Sequence, residues 1–139
     1  MTRGRVTAAA PTAEEAALVA DFRAALRRFL HQTERVARDS GLTPAWYLLM
    51  LQIKGAPDLS ERATVTALAE RLHLAQSSVT ELVARAEQAG LLEREQSRDD
   101  ARVVHLRLSA EGERRFAQAF RSLGAERRAL RETIADLED

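Results

Sequence analysis

Residues 65–109 read VTALAERLHLAQSSVTELVARAEQAGLLEREQSRDDARVVHLRLS, and this stretch decides the fold. In its first part Leu68, Ala69 and Leu72 recur at helical spacing, and Thr66 is a candidate N-cap. His73-Leu74-Ala75 reads as a tight turn. A second helix, from about Gln76 to Gln88, places Val79, Leu82, Val83 and Ala86 on one face, and Gly90 closes it. Two short helices joined by such a turn predict a helix-turn-helix. Leu91 and Leu92 then open an extended arm, and Ser97 to Ala101 is polar and turn-like. From Arg102 the residues alternate: Val104, Leu106 and Leu108 on one face, Val103, His105 and Arg107 on the other. That period of two predicts a β-hairpin of about 16 residues, a wing appended to the helix-turn-helix.

Working outward, Thr43-Pro44 supplies an N-cap and a first-turn proline for a short helix whose stripe is Trp46, Leu49, Met50 and Ile53. Gly55-Ala56-Pro57-Asp58 breaks it, and 55–63 reads as a loop. Upstream, Thr12 and Glu15 form a capping-box pattern. Leu18, Phe22, Ala25, Leu26, Phe29, Thr33 and Val36 then mark a long amphipathic helix ending near Gly41. Residues 1–11 lack apolar periodicity and read as a disordered tail. Downstream, Ser109 caps one long last helix. Its stripe, Phe116, Phe120, Leu123, Arg127, Leu130, Ile134 and Leu137, has the 4-3 spacing of a heptad seam interrupted by Arg127. That is more apolar stripe than so small a domain needs, and it predicts a dimer interface with the first helix.

Composition narrows the function. The chain has 139 residues, the size of one domain. Its 21 basic and 21 acidic residues cancel, so no polybasic tail drives binding. Twenty of the basic residues are arginine; Lys54 is the only lysine. Residues 60–108 hold 7 arginines against 8 acidic residues. Nucleic-acid binding by this segment must therefore rest on the placement of a few arginines, with acidic residues turned away. Cysteine is absent, which excludes disulfides, thiol nucleophiles and thiol redox sensing. No apolar run reaches a membrane-spanning length, and the N-terminus lacks a signal-like stretch, pointing to the cytoplasm. His31, His73 and His105 lack metal-ligand spacing. No phosphate-binding glycine loop or nucleophile elbow is present, so neither an enzyme nor a cofactor is expected.

Together these pieces resemble a MarR-type transcriptional regulator. The resemblance spans about residues 12–137 and rests on four stretches: Leu42-Thr43-Pro44; Val65 to Leu74; Ser77-Ser78-Val79-Thr80 through Gln88-Ala89-Gly90-Leu91; and Asp100-Ala101-Arg102 leading to Leu106-Arg107-Leu108-Ser109 and Gly112. The last is the most specific. It implies a mainly α fold with a small β-wing, in which 12–139 is a single domain. Residues 60–108 would be the winged lobe, and 12–40 and 109–139 the dimerisation helices. It further implies a homodimer on a pseudo-palindromic duplex, with the recognition helix in the major groove and the wing in the minor groove, and release by a small aromatic molecule.

The chemistry of the residues fits those roles. Gln76, Ser77, Ser78, Thr80 and Glu81 lie on the first turns of the recognition helix and can meet base edges. Arg85, one turn on, suits a phosphate. In the wing, Arg102 suits the negative minor groove of A·T-rich DNA, with Asp100 holding its guanidinium and Arg98 beside it. Ala75 offers no side chain to cap the recognition helix, a loss worth about 1 kcal/mol. By analogy with the family, His31, Arg35, Trp46, Tyr47 and His73 would border a cleft for an aromatic carboxylate. The competing reading makes Trp46 core and His31 and Arg35 plain surface. A second function class also stands: a winged-helix protein-interaction module without DNA binding, suggested by Glu81 and the near-neutral lobe.

Overall fold

The computed structural model describes residues 8–137. Residues 1–7 of the expected tail lie outside the described residues, and 8–12 are irregular and exposed. Helix α1 covers Ala13–Asp39. It opens on the expected capping box: Glu15 N–H donates to Thr12 Oγ1 at 3.0 Å, and Thr12 N–H donates to Glu15 Oε1 at 3.0 Å. The hydrogen bonds from Thr12 hold the Glu15 carboxyl below its ordinary range. Gly41, at φ +79°, takes the left-handed position that ends α1. Helix α2 covers Pro44–Lys54, with Thr43 accepting from Trp46 N–H at 3.1 Å.

Residues Gln32–Gly124 form one compact unit, and the described residues outside it form a second. Within the first unit, α3 (Val65–Leu72) and α4 (Gln76–Gln88) are the two helices of the helix-turn-helix. His73, at φ +55°, makes the turn, and its backbone N–H closes the end of α3. The cap of α3 is Thr64 rather than the expected Thr66, with Ala67 N–H donating to Thr64 Oγ1 at 3.1 Å. The helix starts earlier because Ala63 is already fixed: it exchanges both backbone hydrogen bonds with Leu106, at 3.1 and 2.8 Å. Strands β1 (Leu92–Gln96) and β2 (Val104–Leu108) pair antiparallel, with Leu92 opposite Leu108 and Gln96 opposite Val104. Leu106 and Leu108 face the core as expected, whereas Val104, nearest the hairpin tip, is exposed.

The core of this unit joins Leu49, Met50 and Ile53 of α2 to Leu68, Val79, Val83, Leu91, Leu106 and Leu123, all essentially inaccessible to water. The start of α5 (Ala110–Ser122) is locked onto the end of α4. Ser109 Oγ accepts from Gly112 N–H at 3.0 Å and donates to Gly90 C=O at 2.5 Å, while Ser109 N–H donates to Leu91 C=O at 2.9 Å. A Cβ on Gly112 would lie 2.1 Å from the Leu91 carbonyl oxygen, so only glycine fits there.

The last segment departs from expectation. Instead of one long helix, α5 ends at Ser122 and α6 runs Gly124–Asp136. Leu123 leaves helical geometry at φ −96°, ψ 6°, and its side chain is buried. Gly124 follows it, a residue that costs a helix interior about 1 kcal/mol. Core burial of Leu123 and the weak propensity of Gly124 together interrupt the heptad. Phe116 and Leu123 are therefore core of their own chain, while Phe120 and Ile134 are exposed and Arg127, Leu130 and Leu137 are half-buried.

Candidate nucleic-acid interface

Helix α4 presents two unlike faces. Val79, Val83 and Ala86 are buried, and their spacing turns Gln76, Ser77, Ser78, Thr80, Glu81 and Arg85 into the exposed set. Ala75 has extended backbone, φ −67° and ψ 148°, and gives α4 no side-chain cap, as its sequence requires. The first N–H groups of α4 are thus left without a local side-chain acceptor. Gln76 Nε2 donates to Thr66 Oγ1 at 3.4 Å, tying the starts of the two helices.

The wing tip is held by short-range hydrogen bonds. Ser97 N–H donates to Val103 C=O at 2.9 Å, and Val103 N–H donates to Asp100 C=O at 2.9 Å. Asp99 and Asp100 N–H groups donate to Ser97 Oγ at 3.2 and 3.4 Å. On this frame Asp100 Oδ1 accepts from Arg102 N–H at 3.0 Å and Nε at 3.2 Å, and Oδ2 accepts from Nη2 at 3.4 Å. The same carboxylate therefore fixes both the backbone and the guanidinium of Arg102, whose side chain stays 90% exposed. These bonds, the backbone one foremost, hold the Asp100 carboxyl below its ordinary range. Arg98 stands exposed on the same tip, with no ion pair among the described residues.

Several acidic residues of the lobe are paired with its arginines. Glu81 accepts from Arg85 at 2.7 Å one helical turn apart. Arg94 bonds Glu87 at 2.8 Å, joining β1 to α4, and Arg62 bonds Glu95 at 2.7 Å. Arg107 reaches Glu93 at 2.9 Å and Glu95 at 3.5 Å. Exposed pairs of this kind contribute at most about 1 kcal/mol each, so they orient side chains more than they stabilise the lobe. Sequence reasoning missed them. The i,i+4 spacing of Glu81 and Arg85 and the alternating glutamates and arginine of 93–95 opposite Arg107 were their signals.

At the root of the lobe, Lys54 joins α2 to Glu113 of α5 at 2.7 Å and to Glu61 of the 55–63 loop. The bond to Glu113, then that to Glu61, raises the Lys54 ammonium above its ordinary range.

The residues expected to border an aromatic cleft do not share one described hollow. Tyr47 is only 3% exposed and stacks on Phe116 with centroids 5.5 Å apart, so its ring belongs to the core. Trp46 is half-buried and packs against the same core. His31 and Arg35 are exposed on α1, and His73 is exposed at the turn. Three hollows are lined by α2, α3, α5, the 55–63 loop and the wing, and none of the three takes in these residues. Among the described residues no group of three or more His, Asp or Glu could hold a metal ion, and no helix is long and apolar enough to cross a membrane.

Residues 40–103 match the MarR family. No curated protein matches the chain by sequence. Among solved structures, a transcriptional regulator from Thermotoga maritima is 25% identical, with TM-score 0.61, covering 83% of this chain and 76% of that one. A MarR family transcriptional regulator from Streptomyces coelicolor, solved in complex with DNA, is 24% identical with TM-score 0.63, over 91% of this chain and 78% of that one. NadR, solved in complex with 4-hydroxyphenylacetate, is 22% identical with TM-score 0.63, over 92% and 85%.

Proposed function

The chain has the MarR-type winged helix-turn-helix fold, matched by sequence over residues 40–103, and from that premise we propose that it is a homodimeric, sequence-specific double-stranded-DNA-binding repressor. Members of this family are transcriptional regulators rather than enzymes. The observation that carries the reading is the wing tip. A 90% exposed arginine is fixed at backbone and side chain by one carboxylate, as a minor-groove probe requires. The exposed face of α4 supplies the complementary part. Gln76, Ser77, Ser78 and Thr80 reach base edges, and Glu81 can accept from a cytosine amino group.

A two-fold dimer sets two recognition helices about 34–36 Å apart, one helical turn of DNA. Phe120, Leu130, Ile134 and Leu137 supply its apolar contact, beyond Phe116 and Leu123, which their own core takes up. The structural neighbour solved with DNA supports the partner, and the one solved with 4-hydroxyphenylacetate supports a small aromatic acid as the ligand proposed to release it.

One observation favours a second reading, a protein-interaction module. The Glu81–Arg85 pair cancels the basic charge on the outer face of α4. Duplex binding measured across salt separates the two. Wing and recognition-helix contacts release counterions, so log K falls steeply with log salt on a promoter fragment. A flat response on every fragment tested favours the interaction module.

A further inference from the structure

Glu81 stands at the middle of the outer face of α4. It follows the fully buried Val79 by two positions, which turns it about 200° round the helix. One turn away on either side stand Ser77, Ser78, Ala84 and Arg85, so Arg85 is its only charged neighbour on that face. Arg85 is also the only basic residue of α4. Its Nη2 donates to Glu81 Oε1 at 2.7 Å, and the two side chains stay 68% and 66% exposed. The acid precedes the base by four residues, the better order for such a pair in a helix. Glu81 Oε2 takes no bond among the described residues. One carboxylate thus has a fixed oxygen and an open one, which makes the open one an oriented acceptor.

In the major groove that acceptor has few partners. Guanine N7 and O6 and thymine O4 are themselves acceptors and repel it. Adenine offers an N6–H donor but sets its N7 acceptor beside it, whereas cytosine offers N4–H with only C5–H alongside. A lone carboxylate is also repelled by the duplex, whose phosphates place one negative charge about every 1.7 Å of axis. We infer that Glu81 and Arg85 act as one reader of cytosine: Glu81 Oε2 accepts from a cytosine N4–H in each half-site, and Arg85 is the positioning residue that aims the carboxylate and offsets its repulsion with the phosphates. This assignment rests on the regulator reading, and it takes Arg85 away from the phosphate contact that its place one turn along α4 suits. It also gives the pair a sensitivity to modified DNA. An N4-methyl group stands where the donated hydrogen was while the cytosine keeps its pairing with guanine, so the reader distinguishes N4-methylated from unmodified duplex.

The test is selection of bound duplexes from a random library by the full chain, as wild type, Glu81→Ala, Arg85→Ala and Arg85→Lys. Both positions are exposed, and circular dichroism confirms that the variants fold. Wild type enriches cytosine at one position of each half-site. Glu81→Ala and Arg85→Ala both lose that preference, and Arg85→Lys, which still pairs with a glutamate four residues back, regains most of it. On the selected duplex, N4-methylcytosine at that position weakens wild type roughly tenfold and leaves Glu81→Ala unchanged. The assignment is overturned if Arg85→Ala weakens every duplex alike and keeps the cytosine preference, the behaviour of a phosphate ligand. Equal weakening of wild type and Glu81→Ala by the methyl group overturns it too, as does its tolerance by wild type at every cytosine of the site. These outcomes leave the regulator reading intact. A wild-type selection that enriches no sequence removes that reading and this assignment together.

Discussion

The unit Gln32–Gly124 and the helices outside it differ in what each buries alone. In the first, α2, α3, α4, the wing and α5 all send side chains into one core, and its nine largest fully buried side chains have essentially no exposed surface. Outside it, α6 buries no residue at all, and Leu18, Val19, Leu30 and Ile134 are between 40% and 58% exposed. Fully burying one such side chain contributes about 1.5–3 kcal/mol, so the uncovered apolar surface is large on the scale of a domain's stability. The winged lobe carries its own stability. The terminal helices need a cover, and under the proposed function that cover is a second copy of the chain. The exposed polar face of α4 and the wing tip thus lie on the unit that has its own core.

The sharpest way to break this contrast is to cut a cavity in each region. Leu106→Ala, at the centre of the lobe, should cost about 2–5 kcal/mol in urea unfolding. A loss below about 1 kcal/mol would mean the lobe is looser than its burial indicates. Ile134→Asp should leave the lobe folded and shift the sedimenting species from dimer to monomer, because a charge enters an apolar interface. Unchanged sedimentation would remove α6 from the dimer contact.

Next in size is Arg102→Ala, which should weaken duplex binding about tenfold, or about 1.4 kcal/mol, without altering the dimer. Equal affinity for wild type and variant would separate the wing from DNA recognition. Ala75→Ser should add about 1 kcal/mol of stability by giving α4 the cap it lacks, read as a higher urea midpoint. No gain would show that the α4 terminus is already satisfied.

The smallest effect concerns Asp100. Its folded pKa is depressed, so the tip stabilisation is present above the unfolded carboxylate value and is lost as pH falls through the folded one. Amide exchange at Arg102 should therefore show extra protection at pH 6, lost when the tip is measured in acid below the ordinary aspartate range. An Asp100→Asn variant should lack that step; a step that persists would assign it to another carboxyl group.

The same contrast explains how much was legible in the sequence. The capping box at Thr12, the Thr43-Pro44 start, the turn at His73, the missing cap at Ala75 and the Asp100–Arg102 contact all act over two or three residues, and each was readable. What was not readable depends on parts distant in the chain. Thr64 displaces Thr66 as the cap of α3 because Ala63 pairs with Leu106, forty-three residues on. Tyr47 leaves the expected cleft because Phe116 stacks on it. The heptad is interrupted because Leu123 enters the core next to a glycine. The arginine–glutamate pairs of the wing depend on strand register, which composition does not specify.

Trp46, the single tryptophan, packs half-buried on the core of the winged lobe. Intrinsic fluorescence is therefore a one-site optical gauge. Its emission shifts when the lobe opens and is blind to melting confined to α6, which has neither tryptophan nor tyrosine. Circular dichroism at 222 nm weighs every helix alike. Recording both signals on one denaturation ramp clocks the two regions separately, with no label attached.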